Sequence, residues 1–180
     1  MDVRHTLGKV FAVTVLGGIL MASPLWSQAM TSIAGTQGIL TTDAAAKTVT
    51  VNLVSPEGTA AHGFNFDGYA NGAMTVKVPL GWSVTVKLTV DSPYAHSALI
   101  VPWDQKNASS FTPAFPGAAT PDFKVGFAKG KPAESFTFTA DKAGRYALVC
   151  GVPGHVAAGM WDEFDVAQDI IVPQVQVNQS

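Results

Sequence analysis

The stretch from Ser83 to Val90 alternates strictly between polar and apolar residues, which puts its apolar side chains on one face of an extended strand. Ser135 to Thr139 repeats this alternation, and Lys47 to Val54 is rich in β-forming residues. After about Met30 no segment has a convincing helical period, and turn signals such as Asn71-Gly72 separate the extended runs. The pattern predicts an all-β sandwich or barrel.

Two further segments predict strands in the centre of a sheet. His96 to Trp103 is apolar on both faces, and Arg145 to Cys150 has a similar character. In the second segment Tyr146, Leu148 and Cys150 fall on the same face. If the tyrosine and leucine point into the core, the cysteine sulfur is also shielded from solvent.

The stretch from Asp104 to Glu134 is rich in Ala, Gly, Pro, Ser and Asn, and it predicts a long inserted loop. Four phenylalanines spaced through it are expected to pack the loop on itself: Phe111, Phe115, Phe123 and Phe127. The tail after Val166 lacks a strong core pattern, so we expect it to be peripheral.

The N-terminal residues have the pattern of an export segment. Arg4 and Lys9 precede the uncharged run from Val10 to Trp26, and Ser27 to Ala29 supplies residues suited to signal-peptidase cleavage. The uncharged run is close to the shortest length that spans a bilayer. Residues 1–29 are therefore predicted to be a signal peptide or an uncleaved membrane anchor.

Composition indicates that the rest of the chain, residues 30–180, is one globular domain. The 180-residue chain is 47% hydrophobic and 13% charged, as expected for a folded protein. Its net charge is only -2, with 11 basic and 13 acidic residues scattered along it. No basic patch is available for nucleic acid or anionic lipid, so membrane contact is expected only through an N-terminal anchor.

The single cysteine of this chain, Cys150, opens a loop in which four residues separate it from His155 and four more separate His155 from Met160. An exported protein with one thiol cannot form an intramolecular disulfide, and by itself such a cysteine is most simply a small buried apolar residue. With its neighbours it supplies a thiolate, an imidazole and a thioether, which lack one imidazole to complete a His2Cys copper site with a weak axial Met.

The missing imidazole is expected from His96, which stands at the start of an apolar strand at the edge of the predicted core. His62 lies beside a glycine-rich run in a segment predicted to be a strand, where a hydrogen-bonded or exposed histidine is the simpler interpretation. His5 belongs to the export segment. The predicted metal ligands are therefore His96, Cys150, His155 and Met160.

Other uses of these side chains explain fewer residues. Structural zinc sites close their tetrahedron with four strong N or S ligands, and an iron–sulfur cluster or a binuclear copper site needs more cysteines than the chain has. A Cys–His nucleophilic enzyme would leave Met160 and His96 without a role and offers no third group to orient the base. We therefore predict a copper protein that is not an enzyme.

In its motifs the chain resembles the cupredoxins, and among them the sulfocyanins and rusticyanins of acid-loving prokaryotes. The similarity extends over most of the exported part and depends on five segments in the family's order: Phe64-Asn-Phe-Asp-Gly68, Val78-Pro79-Leu80-Gly81-Trp82, His96-Ser97, Tyr146-Ala-Leu-Val-Cys150 and Pro153-Gly154-His155-Val-Ala-Ala-Gly159-Met160. The resemblance implies a Greek-key β-sandwich with one type 1 copper ion, Cu(I) or Cu(II), held by the four predicted ligands. Many cupredoxins have Asn after the first ligand, where this chain has Ser97.

The resemblance also implies the function. We expect a monomeric blue copper electron carrier, periplasmic or on the outer face of the cytoplasmic membrane, that exchanges electrons with respiratory proteins such as cytochromes or a terminal oxidase. The alternative is a copper-binding storage or delivery protein without electron transfer. A delivery site would expose its ligands, whereas the inward-facing cysteine favours retention.

Overall fold

The computed structural model describes residues 38–58 and 60–178, together with Met1. Its regular structure is nine strands and two short 3-10 turns. The strands are β1 (Leu40–Asp43), β2 (Thr48–Pro56), β3 (Met74–Pro79), β4 (Ser83–Asp91), β5 (Leu99–Pro102), β6 (Glu134–Thr139), β7 (Gly144–Val149), β8 (Trp161–Ala167) and β9 (Gln174–Val177). None of the helices in this part of the chain combines the length and apolar character that crossing a membrane requires. The predicted export segment lies outside the described residues, apart from Met1, and stays a prediction.

The strands form two sheets, which confirms the predicted all-β class. One sheet has the order β1-β2-β4-β6 and the other has the order β5-β7-β8-β3-β9. Parallel pairing of β2 with β4 and of β3 with β8 shows that the chain passes repeatedly between the sheets. The alternation in β4 determines its orientation, because Val84, Val86 and Leu88 are buried while Lys87 is exposed.

Apolar side chains from both sheets form a common core. Val84 and Phe136 come from the first sheet, and Leu148 and Phe164 come from the second. Cys150 belongs to this cluster, as predicted from its shared face with Tyr146 and Leu148. The cysteine sulfur therefore lies at the end of the core, away from solvent.

The prediction that His96 to Trp103 forms a central strand is wrong. Only Leu99–Pro102 is a strand, and β5 lies at the edge of its sheet. Its backbone is nevertheless paired, since Ile100 N–H donates to Ala118 O at 3.0 Å and Ala114 N–H donates to Ile100 O at 2.8 Å. The inserted loop covers this edge, which explains why an edge strand has the sequence of a buried one.

The inserted loop does not pack on its own aromatics. Phe115 stacks on Phe138 and contacts Tyr146, with centroid distances of 4.9 and 4.8 Å, and so belongs to the core between the sheets. Phe127 joins the same core, whereas Phe111 and Phe123 pack on the outer face of the second sheet. The two sheets bury more apolar area than the loop could by itself, which is why the rings pack against the sheets and not against each other.

The C-terminal tail is peripheral, as predicted, but it contains a strand that the sequence pattern did not indicate. Strand β9 pairs antiparallel with β3 at the edge of the second sheet. Its alternation between Gln and Val is short, and its residues are only partly buried or exposed.

Candidate metal centre

The loop that carries Cys150, His155 and Met160 connects the antiparallel strands β7 and β8. Cys150 N–H donates to Met160 O at 3.2 Å, and Met160 N–H donates to His155 O at 3.0 Å. These bonds fold the loop back on itself between two paired strands. Gly159 has a φ of +104°, and a Cβ there would lie 2.7 Å from the Asn71 side chain, so only glycine fits this turn.

His96 reaches the site from the segment between β4 and β5. Its backbone exchanges two hydrogen bonds with Phe127 of the inserted loop, at 3.0 and 2.9 Å. The ring is fully buried, with Nε2 lying 3.1 Å from Ser92 Oγ. Nδ1 is also buried and has no hydrogen-bond partner among the described residues. A proton on Nε2 that is donated to Ser92 would leave the Nδ1 lone pair free for a metal ion.

The structure brings three of the four predicted ligands together. The ligand atoms of His96, Cys150 and His155 all lie within 4.8 Å of one another, and Cys150 Sγ is 3.3 Å from His155 Nδ1. Met160 is fully buried in the same core cluster as Cys150. His62 is not part of this group; it lies in the 3-10 turn Ala60–Gly63, not in a strand as predicted. That the four residues act as ligands stays a prediction.

Ser97 joins the two ligand segments to the inserted loop. Its backbone N–H donates to Cys150 Sγ at 3.4 Å, and its hydroxyl lies 3.7 Å from the same sulfur. The hydroxyl also donates to Phe123 O at 2.7 Å and accepts from Gly151 N at 2.8 Å. One small side chain therefore fixes the His96 segment, the cysteine loop and the insertion relative to each other.

Ser97→Ala is expected to lower the free energy of unfolding of the metal-free protein by about 2 kcal/mol, because it leaves the buried Gly151 N–H and Phe123 carbonyl without this partner. Chemical denaturation of both proteins measures the difference. Ser135→Ala, at an exposed position of β6, is the matched control and should change stability by less than about 0.5 kcal/mol. Equal stability of the two variants would contradict the role of the Ser97 hydroxyl.

Burial shifts the pKa values of His96, His155 and Cys150 in the directions that favour their uncharged forms. Burial, aided by the nearby His155, lowers the pKa of His96 from 6.5 to about 4. Burial also lowers the pKa of His155 and raises the pKa of the Cys150 thiol. The metal-free site therefore holds two neutral imidazoles and a thiol, and a metal ion needs to displace only the thiol proton.

This donor set fits copper. The combination of a thiolate, two imidazoles and a nearby thioether matches the ligands of blue-copper centres, whereas a thioether is a poor ligand for zinc. The unpartnered Nδ1 of buried His96 supports a metal-ligand role for this ring, because a buried polar atom without a partner is costly unless a ligand completes it.

Three residues near the ligands were not assigned a role from the sequence. Ser92 bonds to His96 Nε2, and Phe64 lies edge-on to the His155 ring at a centroid distance of 4.6 Å. Tyr94 stacks on Phe64 at 5.3 Å and is half exposed. Phe64 begins the Phe64-Asn-Phe-Asp-Gly68 motif, but nothing in its sequence surroundings indicates which loop it faces.

Residues 35–177 match the sulfocyanin (SoxE) domain family. The chain is similar to sulfocyanin from Sulfolobus acidocaldarius, with 26% identity over 144 residues that cover 73% of this chain and 70% of that protein. It is also similar to auracyanin A, a "blue" copper protein from Chloroflexus aurantiacus, with 25% identity, coverage of 67% of this chain and 99% of that one, and a TM-score of 0.47. For rusticyanin from Thiobacillus ferrooxidans the identity is 24%, the coverage 72% and 86%, and the TM-score 0.46.

Proposed function

The chain belongs to the sulfocyanin family, and on this basis we propose that it is a blue copper electron carrier that works outside the cytoplasmic membrane. The observation that carries the proposal is the convergence of His96, Cys150 and His155, whose ligand atoms lie within 4.8 Å of one another. Met160, buried in the same core cluster as Cys150, would complete the set as the weak ligand.

Copper supplies a reversible one-electron change between Cu(I) and Cu(II) when it is bound. The protein contributes burial, since His96, Cys150 and Met160 are fully inaccessible to solvent. A substrate molecule could not reach these side chains, but an electron needs no such access. This closed arrangement supports a carrier and not an enzyme.

His155 is the most accessible of the four proposed ligands, being only partly buried. Around it the ligand loop presents exposed residues that are small or apolar and carry no charge: Pro153, Gly154, Ala157 and Ala158. A partner can approach this surface without removing water from charged groups. We infer that electrons enter and leave at the edge of His155, in transient complexes.

The partners we propose are respiratory redox proteins such as cytochromes or a terminal oxidase, which the protein would meet as a monomer. Export is supported by the pattern of residues 1–29, in which a basic start precedes a long uncharged run. The proposed location is the periplasm or the outer face of the membrane.

Copper retention under electron exchange separates this function from copper storage or delivery. The copper-loaded protein is reduced and reoxidised repeatedly with a one-electron reagent in the presence of a Cu(I) chelator. We expect complete, reversible redox cycles without loss of metal, because three of the four proposed ligands are buried. Rapid transfer of copper to the chelator without net redox change would favour delivery and contradict the proposal.

Ala158→Glu is expected to slow electron exchange with protein partners several-fold and to leave the copper spectrum unchanged, because a carboxylate in the contact surface must lose water when the complex forms. Stopped-flow mixing with a cytochrome measures the rate. Ala143→Glu is the control with the same charge change, at an exposed turn before β7. Loss of copper in Ala158→Glu, or equal rates for the two variants, would contradict this surface role.

A further inference from the structure

A cleft of about 690 Å³ lies beside the ligand loop. One side is formed by residues 106–109 and Phe111 of the inserted loop, and the other by residues 152–154, 156 and 157 of the ligand loop, with Asn71 and Trp161 completing it. Trp161 follows the proposed ligand Met160 directly in the chain. The cleft is large enough for a few side chains of another molecule.

Lys106 is the one titratable side chain that lines this cleft. Its Nζ lies over two indole rings, 4.7 Å from the centroid of Trp161 and 5.3 Å from that of Trp103. Its polar neighbour is the Asn107 side-chain amide. In the orientation in which the amide nitrogen donates to Lys106 O, the amide oxygen accepts from Nζ at 3.0 Å. No carboxylate of residues 38–58 or 60–178 forms a salt bridge with Lys106.

Arg145, a second cation beside Trp103, has an acidic partner that Lys106 lacks among the described residues. Its guanidinium lies 3.5 Å from the Trp103 centroid and also forms a salt bridge with Glu163. Lys106 has the aromatic contact without the acidic partner. The two indole rings hold the Lys106 ammonium group at the cleft, where an external anion can pair with it.

We propose that this cleft docks an acidic segment of the redox partner, with a carboxylate on Lys106 and apolar neighbours against Phe111 and Val156. Charge complementarity carries the choice of occupant, because Lys106 is the single charged residue among those that line the cleft. The proposal rests on the proposed electron-carrier function and adds the chemistry of its partner. Docking here would place the partner against the ligand loop and next to the surface of His155.

The first test uses hexacyanoferrate(III) as an anionic oxidant of the reduced, copper-loaded full chain. Lys106→Glu is expected to lower the second-order rate constant about tenfold at low salt, because a charge change of two units acts close to the bound anion. The difference should shrink towards about twofold at 0.5 M salt. A cationic cobalt(III) phenanthroline complex should react faster with the variant.

The control is Lys87→Glu, which makes the same change in net charge at an exposed position of β4 in the other sheet. We expect it to alter either rate less than about twofold. Visible and EPR spectra of both variants should match the wild type, because neither lysine is a proposed ligand. Equal effects of the two variants, or slowing of both reagents by Lys106→Glu, would overturn the proposal.

The second test separates a protein partner from a free small anion. Acetylated hexaglutamate should inhibit the hexacyanoferrate(III) reaction of the wild type but not that of Lys106→Glu, and acetylated hexalysine should not inhibit either. If the lysine affects the oxidant while hexaglutamate has no effect, the cleft binds small anions and the acidic-segment proposal is wrong. A protein that gives no copper spectrum at all would instead overturn the electron-carrier function.

Discussion

Replacing Cys150 with serine is expected to abolish the intense blue band of the copper-loaded protein. The strong visible absorption of a type 1 centre depends on its thiolate, and a serine hydroxyl stays protonated and is a hard ligand. In this chain no other cysteine can substitute, because Cys150 is the single one. Visible and EPR spectra after addition of Cu(II) to both proteins measure the effect, with wild-type protein expected to be blue and the variant nearly colourless.

A second variant tests whether the loss comes from the thiolate and not from damage to the core. Met160→Leu keeps the volume of a fully buried side chain and removes only the thioether. We expect the blue band to persist, with a shifted reduction potential, because the thioether is a weak ligand. A colourless wild type, or a blue Cys150→Ser, would contradict the copper centre.

The direction of the cysteine could be predicted because it depends on local periodicity. Residues two apart in a strand share a face, so the burial of Tyr146 and Leu148 determines where Cys150 points. The turn that brings His155 and Met160 back was predictable in outline from its glycines. These parts of the site depend only on residues that are close together in the sequence.

The predictions that were wrong, and the features that were not predicted, depend on contacts between segments that are distant in the sequence. The aromatic residues of the inserted loop could pack on each other or on the sheets, and only the fold shows that Phe115 stacks on Phe138. The apolar character of β5 indicated burial but not the agent, which is the inserted loop and not a second neighbouring strand. The bonds of Ser97 likewise join residues 26 and 54 positions apart, beyond the reach of local pattern.

The second large effect is expected on stability, from a buried carboxyl in β8, two residues after Met160. Asp162 is fully buried; its Oδ1 accepts from Met74 N at 2.9 Å, and its Oδ2 has no partner among the described residues. Burial raises the pKa of Asp162 from 3.8 to about 8, and the Met74 N–H opposes this only in part. The folded protein therefore holds Asp162 as a neutral acid over most of the physiological pH range.

Asp162→Asn is expected to raise the free energy of unfolding at pH 7 by up to about 4 kcal/mol and to have little effect near pH 4. A carboxyl whose pKa is raised by folding stabilises the fold fully below its unfolded pKa of 3.8, and this contribution is lost as the pH rises towards 8. Asparagine keeps the acceptor for Met74 and cannot ionise. Its stability should therefore not fall with pH in this way.

The measurement is chemical denaturation of the metal-free wild type and variant at several pH values between 4 and 8. The depressed pKa of His96, about 4, acts in the opposite direction, since its contribution is lost as the pH falls from 6.5 towards 4. Both proteins contain His96, so its effect cancels in their difference, and Asp169→Asn at an exposed position controls for the charge change. A difference between wild type and Asp162→Asn that stays constant across the pH range would show that Asp162 is ionised in the folded protein and that its burial is compensated.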